Sequence, residues 1–122
     1  KLVQRNGAIE IDAGTFRLPV PADIAQEARP WIGQEVVFGI RPEDIQDRAL
    51  WRDAPPEWAV GTTVDVHEPI GSDIILHLSA GDQAVIARVD AHSEARMGRP
   101  LEVVFNMRKM HLFNPQTSQA II

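Results

Sequence analysis

The sequence contains no cysteine and no tyrosine, and only two of its 122 residues are lysine, Lys1 and Lys109. Each shortage removes a class of function. Without cysteine there is neither a disulfide framework nor a thiolate zinc site, and a reducing compartment is the easier setting. A phosphate-cradling loop needs a lysine directly after a glycine-rich turn, because backbone N–H groups hold the phosphates while the ammonium neutralises them. Nothing precedes Lys1 and Lys109 follows Arg108, so ATP is not bound here by that device.

Basic residues are short as well, 12 against 17 acidic for a net charge of −5. Neutralising a phosphate backbone needs clustered Arg and Lys, and single-strand binding needs stacking aromatics, so nucleic acid is not an expected partner. No apolar run approaches the roughly 20 residues that cross a bilayer, and no segment reads as a signal peptide, so a soluble chain is expected. The first residue is Lys rather than Met, which points to a processed chain or a piece of a larger one. Its length fits one domain able to bury roughly 65% of its unfolded surface.

What the sequence does have is short alternating segments. Ala8 to Asp12 and Thr15 to Val20 read as a hairpin around Ala13-Gly14. Pro21 to Arg29 loses the alternation and carries Ala22, Ile24, Ala25 and Ala28 near helical spacing, which predicts one short helix. Glu35 to Ile40 follows as a strand with apolar or small residues on both faces, Val36, Phe38 and Ile40 against Val37 and Gly39, the pattern of a core strand. Pro42 stops it, biasing Arg41 to extended backbone, and Glu43 and Asp44 suit the first turn of a short helix. Gln46 to Trp58 has no stable period and reads as a surface loop, in which Trp51 and Trp58 are packing or interface aromatics. Val60 to Glu68, Ile74 to Ser79 and Ala84 to Val89 form a meander broken at Pro69–Asp73 and Gly81-Asp82. Asp90 to Met97 predicts a helical turn or two capped by Asp90 and stopped by Gly98. Leu101 to Met107 and His111-Leu112-Phe113 are the last strands. The sum is a mainly all-β chain, a small OB-like barrel of about six or seven strands with one or two short helices.

Catalytic chemistry is poorly supported. His67 and His77 could approach across the meander turn, but two imidazoles without a third ligand at recognisable spacing do not make a metal site. Ser72, Ser79, Ser93 and Ser118 lack a nucleophile-elbow context, and the acids Glu43-Asp44 and Glu68 with Asp73 read as turn and capping residues. Arg41 offers a planar fork on a turn made rigid by Pro42, so Arg41, Pro42 and Glu43 are candidates for a turn held by a local ion pair or for a subunit contact. In Pro69–Asp73, Gly71 is expected at positive φ.

Three strings in order, Phe38-Gly39-Ile40-Arg41-Pro42-Glu43-Asp44, Val66-His67-Glu68-Pro69-Ile70-Gly71-Ser72-Asp73 and His111-Leu112-Phe113-Asn114-Pro115-Gln116-Thr117, resemble the C-terminal regulatory domain of the ATP-binding subunits of bacterial carbohydrate ABC importers. The resemblance runs from Ala8 to Ile121. It implies a single TOBE or OB-like domain over residues 1–122, with a nucleotide-binding domain upstream that holds ATP and Mg; no cofactor is expected in this chain. It further implies a non-catalytic regulatory and dimerisation role. The implied partners are a second copy of the subunit, its own nucleotide-binding domain, the membrane subunits through that domain and a regulatory protein. The implied place is the cytoplasmic face of the inner membrane, and the imported solute would be a sugar, polyol or glycerol phosphate. Candidate interface or regulatory residues are Arg41, Pro42, Glu43, Glu68, Gly71 and Phe113. The chain departs from the family pattern at Asn114, commonly Asp, at Ser118, commonly Gly, and at His67, more usually apolar. The alternative reading is a stand-alone barrel that binds a small oxyanion or sugar.

Overall fold

Alternating segments bounded by glycine and proline give ten strands, three to eleven residues long, and no α-helix in a computed structural model that describes residues 1–122. Four of the strands are only three residues long, which is why pattern reading expected fewer. The chain divides into two compact units, residues 1–40 with 107–122, and residues 41–106.

In the first unit β1 (Leu2–Arg5), β2 (Ala8–Asp12) and β3 (Arg17–Pro19) form an antiparallel sheet in that order. Asn6 and Gly7, both at positive φ, make the first turn. Leu2, Ile9, Ile11 and Leu18 point to one side and are buried with Val20, Ala28, Met107, Met110 and Leu112. The helix predicted from Pro21 begins later, as 3-10 turns over Ala25–Trp31 with Pro30 inside.

β4 (Val37–Gly39) pairs with β10 (His111–Phe113), Leu112 opposite Phe38. Here the core-strand expectation fails. Val37 is 49% exposed and Val36, Phe38, Gly39 and Ile40 are only half-buried, because this strand has a hydrogen-bonded neighbour on one side alone. On the other side of β10 the C-terminal segment closes back, Ile121 N–H donating to Leu112 O at 2.7 Å.

The second unit is a five-stranded antiparallel sheet in the order β5 (Ile45–Asp47), β9 (Pro100–Phe105), β6 (Ala59–Pro69), β7 (Asp73–Ala80), β8 (Gln83–Asp90). The two outer strands of that order lie beside each other, so the sheet nearly closes into an OB-like barrel. Gln46 Oε1 spans them, accepting from Asp90 N–H at 3.5 Å. Ile45, Val60, Val64, Leu76, Leu78, Ala87, Val89, Val103 and Phe105 fill the inside. A register shift between Val64 and Val66 marks a β-bulge at Asp65, the device that bends a strand around a barrel.

The segment expected to be an irregular loop begins as β5 and continues through 3-10 turns at Arg48–Leu50 and Pro56–Trp58. Trp51 and Trp58 pack edge to face there, centroids 5.9 Å apart. The helix expected after Asp90 does not form. Asp90 Oδ1 does accept from His92 N–H at 2.8 Å, but Ser93 Oγ turns inward to Asp47 Oδ2 at 2.6 Å and accepts from Ala95 N–H at 3.2 Å. Side-chain bonds to nearby backbone compete with the helical ladder and end it after one turn.

Candidate functional site

β8 is the element on which two of the three sequence strings converge. Pro42–Asp44 forms a single 3-10 turn that lies alongside β8. Arg41 enters it with φ −77° and ψ 147°, the extended backbone that Pro42 imposes. The turn is closed by its backbone, Asp44 N–H donating to Arg41 O at 2.9 Å and Ile45 N–H to Pro42 O. The ion pairs of this unit lie elsewhere, so the expected local pair of Arg41 with Glu43 is replaced by backbone bonding. Arg41 and Glu43 are exposed and Pro42 is half-buried.

At the far end of β8, Ala91 N–H donates to Ser72 O at 2.9 Å and clasps the turn that carries Gly71, whose φ is +89° as the sequence predicted. Glu68 stands on β6 just before that turn. Its Oε1 lies 3.0 Å from His77 Nε2, both side chains about half exposed. Arg88 Nε donates to Asp73 Oδ2 at 2.8 Å, and His92 Nδ1 lies 2.5 Å from Asp90 Oδ1. The Asp90 carboxyl is held below the ordinary aspartate value, first by the His92 backbone N–H and then by the His92 ring. Asp73 and Asp90 are directly opposed in register, and Arg88 and His92 offset that repulsion.

The bulge sets His67 and His77 on opposite faces of the sheet, since Val66 rather than His67 is opposite His77. They cannot share a ligand. Phe113 belongs to the first unit, where its ring lies over Gly39 and near His111, ring centroids 6.2 Å apart. Asn114 Oδ1 accepts from Gln116 N–H at 2.9 Å, the bond an aspartate would accept, and Ser118 takes φ 62°, the conformation that suits glycine.

A shallow hollow of about 460 Å³ is lined by Thr62, Thr63, Ser79, Leu101 and Glu102 among others. Three of its polar side chains are engaged within the chain: Thr62 Oγ1 donates to Leu101 O at 2.7 Å, Ser79 Oγ to Asp65, and Glu102 pairs with Arg48 at 2.8 Å. Sequence reading missed the outward residues Ile75, Ile86 and Arg88 of the meander. The usable signal was the parity of each strand position once the bulge is counted.

A mainly-β, OB-like module is the class that this geometry defines. The profile described as the MalK OB fold domain matches residues 1–45, and the one described as the TOBE domain matches residues 38–113. The chain is 33% identical over 116 residues, 95% of its length, to the oligosaccharides import ATP-binding protein MsmX of Bacillus subtilis. It is 36% identical over 114 residues, 91% of its length, to the trehalose/maltose import ATP-binding protein MalK of Thermococcus litoralis. A third relative, the multiple sugar-binding transport ATP-binding protein MsmK of Streptococcus mutans, is 36% identical over 95 residues, 78% of this chain. The chain belongs to the TOBE-domain family, and the relatives it matches are sugar import ATP-binding proteins. It spans between a quarter and a third of those relatives, 32%, 31% and 25% of their lengths respectively.

Proposed function

We propose that this chain is the non-catalytic regulatory and dimerisation part of the ATP-binding subunit of a sugar ABC importer, with ATP and Mg held by a nucleotide-binding domain outside these 122 residues. The observation that carries the reading is the alignment of 95% of the chain with only 32% of MsmX. None of the eight glycines is followed by lysine, so the phosphate-binding element must come from the rest of such a protein. No helix is long and apolar enough to cross a membrane, which fits a peripheral position reached through the membrane subunits. Sugar, polyol or glycerol phosphate import is the activity that the relatives' names and the family resemblance favour.

Equilibrium dialysis and sedimentation of the purified chain test this reading together. The expected result is no retention of ATP with Mg and a concentration-dependent rise in sedimentation coefficient. ATP hydrolysis by the chain overturns the non-catalytic assignment, and a strict monomer at millimolar concentration overturns the dimerisation role.

A further inference from the structure

The three methionines of this chain fall into two opposite environments. Met97 is 67% exposed, more than any other large apolar side chain, whereas Met107 and Met110 are 0% and 3% exposed in the core of the first unit. The backbone sets that exposure. Arg99 N–H donates to Arg96 O at 3.1 Å and closes a four-residue turn whose third residue, Gly98, has φ +80°, the value a type II turn requires there. Met97 stands at the tip of this turn. Gly98 N–H donates to Val64 O at 2.7 Å and Val64 N–H to Arg99 O at 2.9 Å, so β6 fastens the turn through a donor and an acceptor. The thioether is displayed rather than packed.

We propose that Met97 is a reversible oxidation site, taken to the sulfoxide by hydrogen peroxide and returned by methionine sulfoxide reductases while the fold stays intact. In the forward step a sulfur lone pair attacks one peroxide oxygen. The S–O bond forms, the O–O bond breaks and water leaves, so sulfur is oxidised by two electrons and the peroxide reduced by two. In the return step two thiols become a disulfide and the sulfoxide oxygen leaves as water. Competing reductants are few: the chain has no cysteine, and Trp31, Trp51 and Trp58 are all half-buried. The surroundings also suit the product. A sulfoxide oxygen is a far better acceptor than a thioether sulfur, and the exposed guanidiniums of Arg96 and Arg99 flank it in the same turn. Both are open to a new acceptor, since the arginine ion pairs of the chain use Arg5, Arg17, Arg48, Arg88 and Arg108. Oxidation here places its polar oxygen in water. At Met107 or Met110 the same oxygen would enter a packed core and break it.

Peroxide treatment followed by tryptic digestion and tandem mass spectrometry tests the site with a control inside one peptide. Trypsin cuts after Arg96 and Arg108 but not between Arg99 and Pro100, so a single fragment carries both Met97 and Met107. In the folded chain Met97 is expected to oxidise at least about tenfold faster than Met107, and in urea the two rates should come within about twofold, because the thioether chemistry is then the same. The chain oxidised at Met97 alone should keep the parent's circular dichroism and melting curve. The two stereospecific methionine sulfoxide reductases, with a thiol reductant, should return it to the parent mass without denaturant. Met97→Leu, at an exposed position, should take up no oxygen at the dose that saturates Met97 in the parent. Equal rates at Met97 and Met107 in the folded chain overturn the site. A tenfold difference that persists in urea assigns the selectivity to local sequence and overturns the argument from exposure. A melting curve lowered by oxidation at Met97 alone, or a sulfoxide that the reductases leave in place on the folded chain, overturns its reversible character.

Discussion

Gly39 lies beneath the ring of Phe113, so close that a Cβ at position 39 would stand 2.7 Å from Phe113 Cε2. The β4–β10 register makes the contact: His111 is opposite Gly39 and Phe113 opposite Val37, so all four share one face. The first and third sequence strings are joined here, and the glycine is needed for space. Its φ is not in the left-handed region. Gly39→Ala is expected to cost about 1–3 kcal/mol by overpacking. Phe113→Leu in the same chain should recover part of that loss, a coupling of about 0.5–3 kcal/mol in a urea-denaturation double-mutant cycle. Strict additivity of the two changes would show that the ring does not confine position 39.

A second prediction concerns Asp47 and Ser93, both buried and hydrogen-bonded to each other. Asp47 Oδ2 accepts from Ser93 Oγ and Oδ1 from Ala49 N–H at 3.0 Å, so the carboxylate fastens both the residue 91–98 segment and the Arg48–Leu50 turn to β5. Ser93→Ala leaves a buried acceptor short of a donor, which costs about 1–3 kcal/mol. Asp47→Ala removes the turn cap as well and should cost more. Amide hydrogen exchange in Ser93→Ala is expected to quicken first at Ala95, whose N–H loses its acceptor.

These two sites show what was legible in the sequence. The meander, the hairpin and the Pro42 stop could be read because period-2 alternation and proline act within a few residues. β5, the failure of the helix after Asp90 and the exposure of β4 could not, because each depends on a partner distant in sequence. Phe105 faces Ile45 across the sheet, Asp47 captures Ser93, and Leu112 covers only one side of Phe38. Among the site residues, Gly71 was readable from its turn, whereas the row of Glu68, Ile75 and Arg88 requires the register that the Asp65 bulge sets.

Acid sensitivity is expected in the first unit. Arg108 donates to both oxygens of Asp23, at 2.7 and 2.9 Å, and ties the segment before the 3-10 turns to the Met107–Lys109 turn. That hydrogen bonding, more than the charge alone, holds the Asp23 carboxyl below the ordinary aspartate range and raises Arg108. A carboxylate with a depressed folded value adds stability that is fully present above its unfolded value of about 3.9 and lost as pH falls through the folded one. The pair is exposed, so the effect is small and salt-sensitive. Asp23→Asn should therefore lose that small increment of stability at pH 7 and converge on the parent as pH falls below about 4, which flattens the acid limb of its stability curve. An NMR titration of the Asp23 carboxyl carbon that follows a model peptide would contradict the assignment.

Two turns make opposite demands on the same backbone region. Gly71 has φ +89° with open space around it, so Gly71→Ala meets no steric neighbour and its cost is purely conformational, about 1–2 kcal/mol. Gly61, also in open space but without positive φ, is the control; Gly61→Ala should be near neutral or slightly stabilising. At Ser118 the sign reverses, because a serine already occupies φ 62°. Ser118→Gly relieves about 1–2 kcal/mol of left-handed strain and gives back about 0.5–1 kcal/mol in the unfolded chain's added freedom, leaving a net gain of about 0.5 kcal/mol. Thermal denaturation of the three variants in one buffer checks the signs, with Gly71→Ala below the parent and Ser118→Gly above it. Since Asn114 keeps its bonds to Gln116 and Thr117 in all three, a fall in stability for Ser118→Gly would mean that the serine side chain supports the turn by a contact stronger than the strain it relieves.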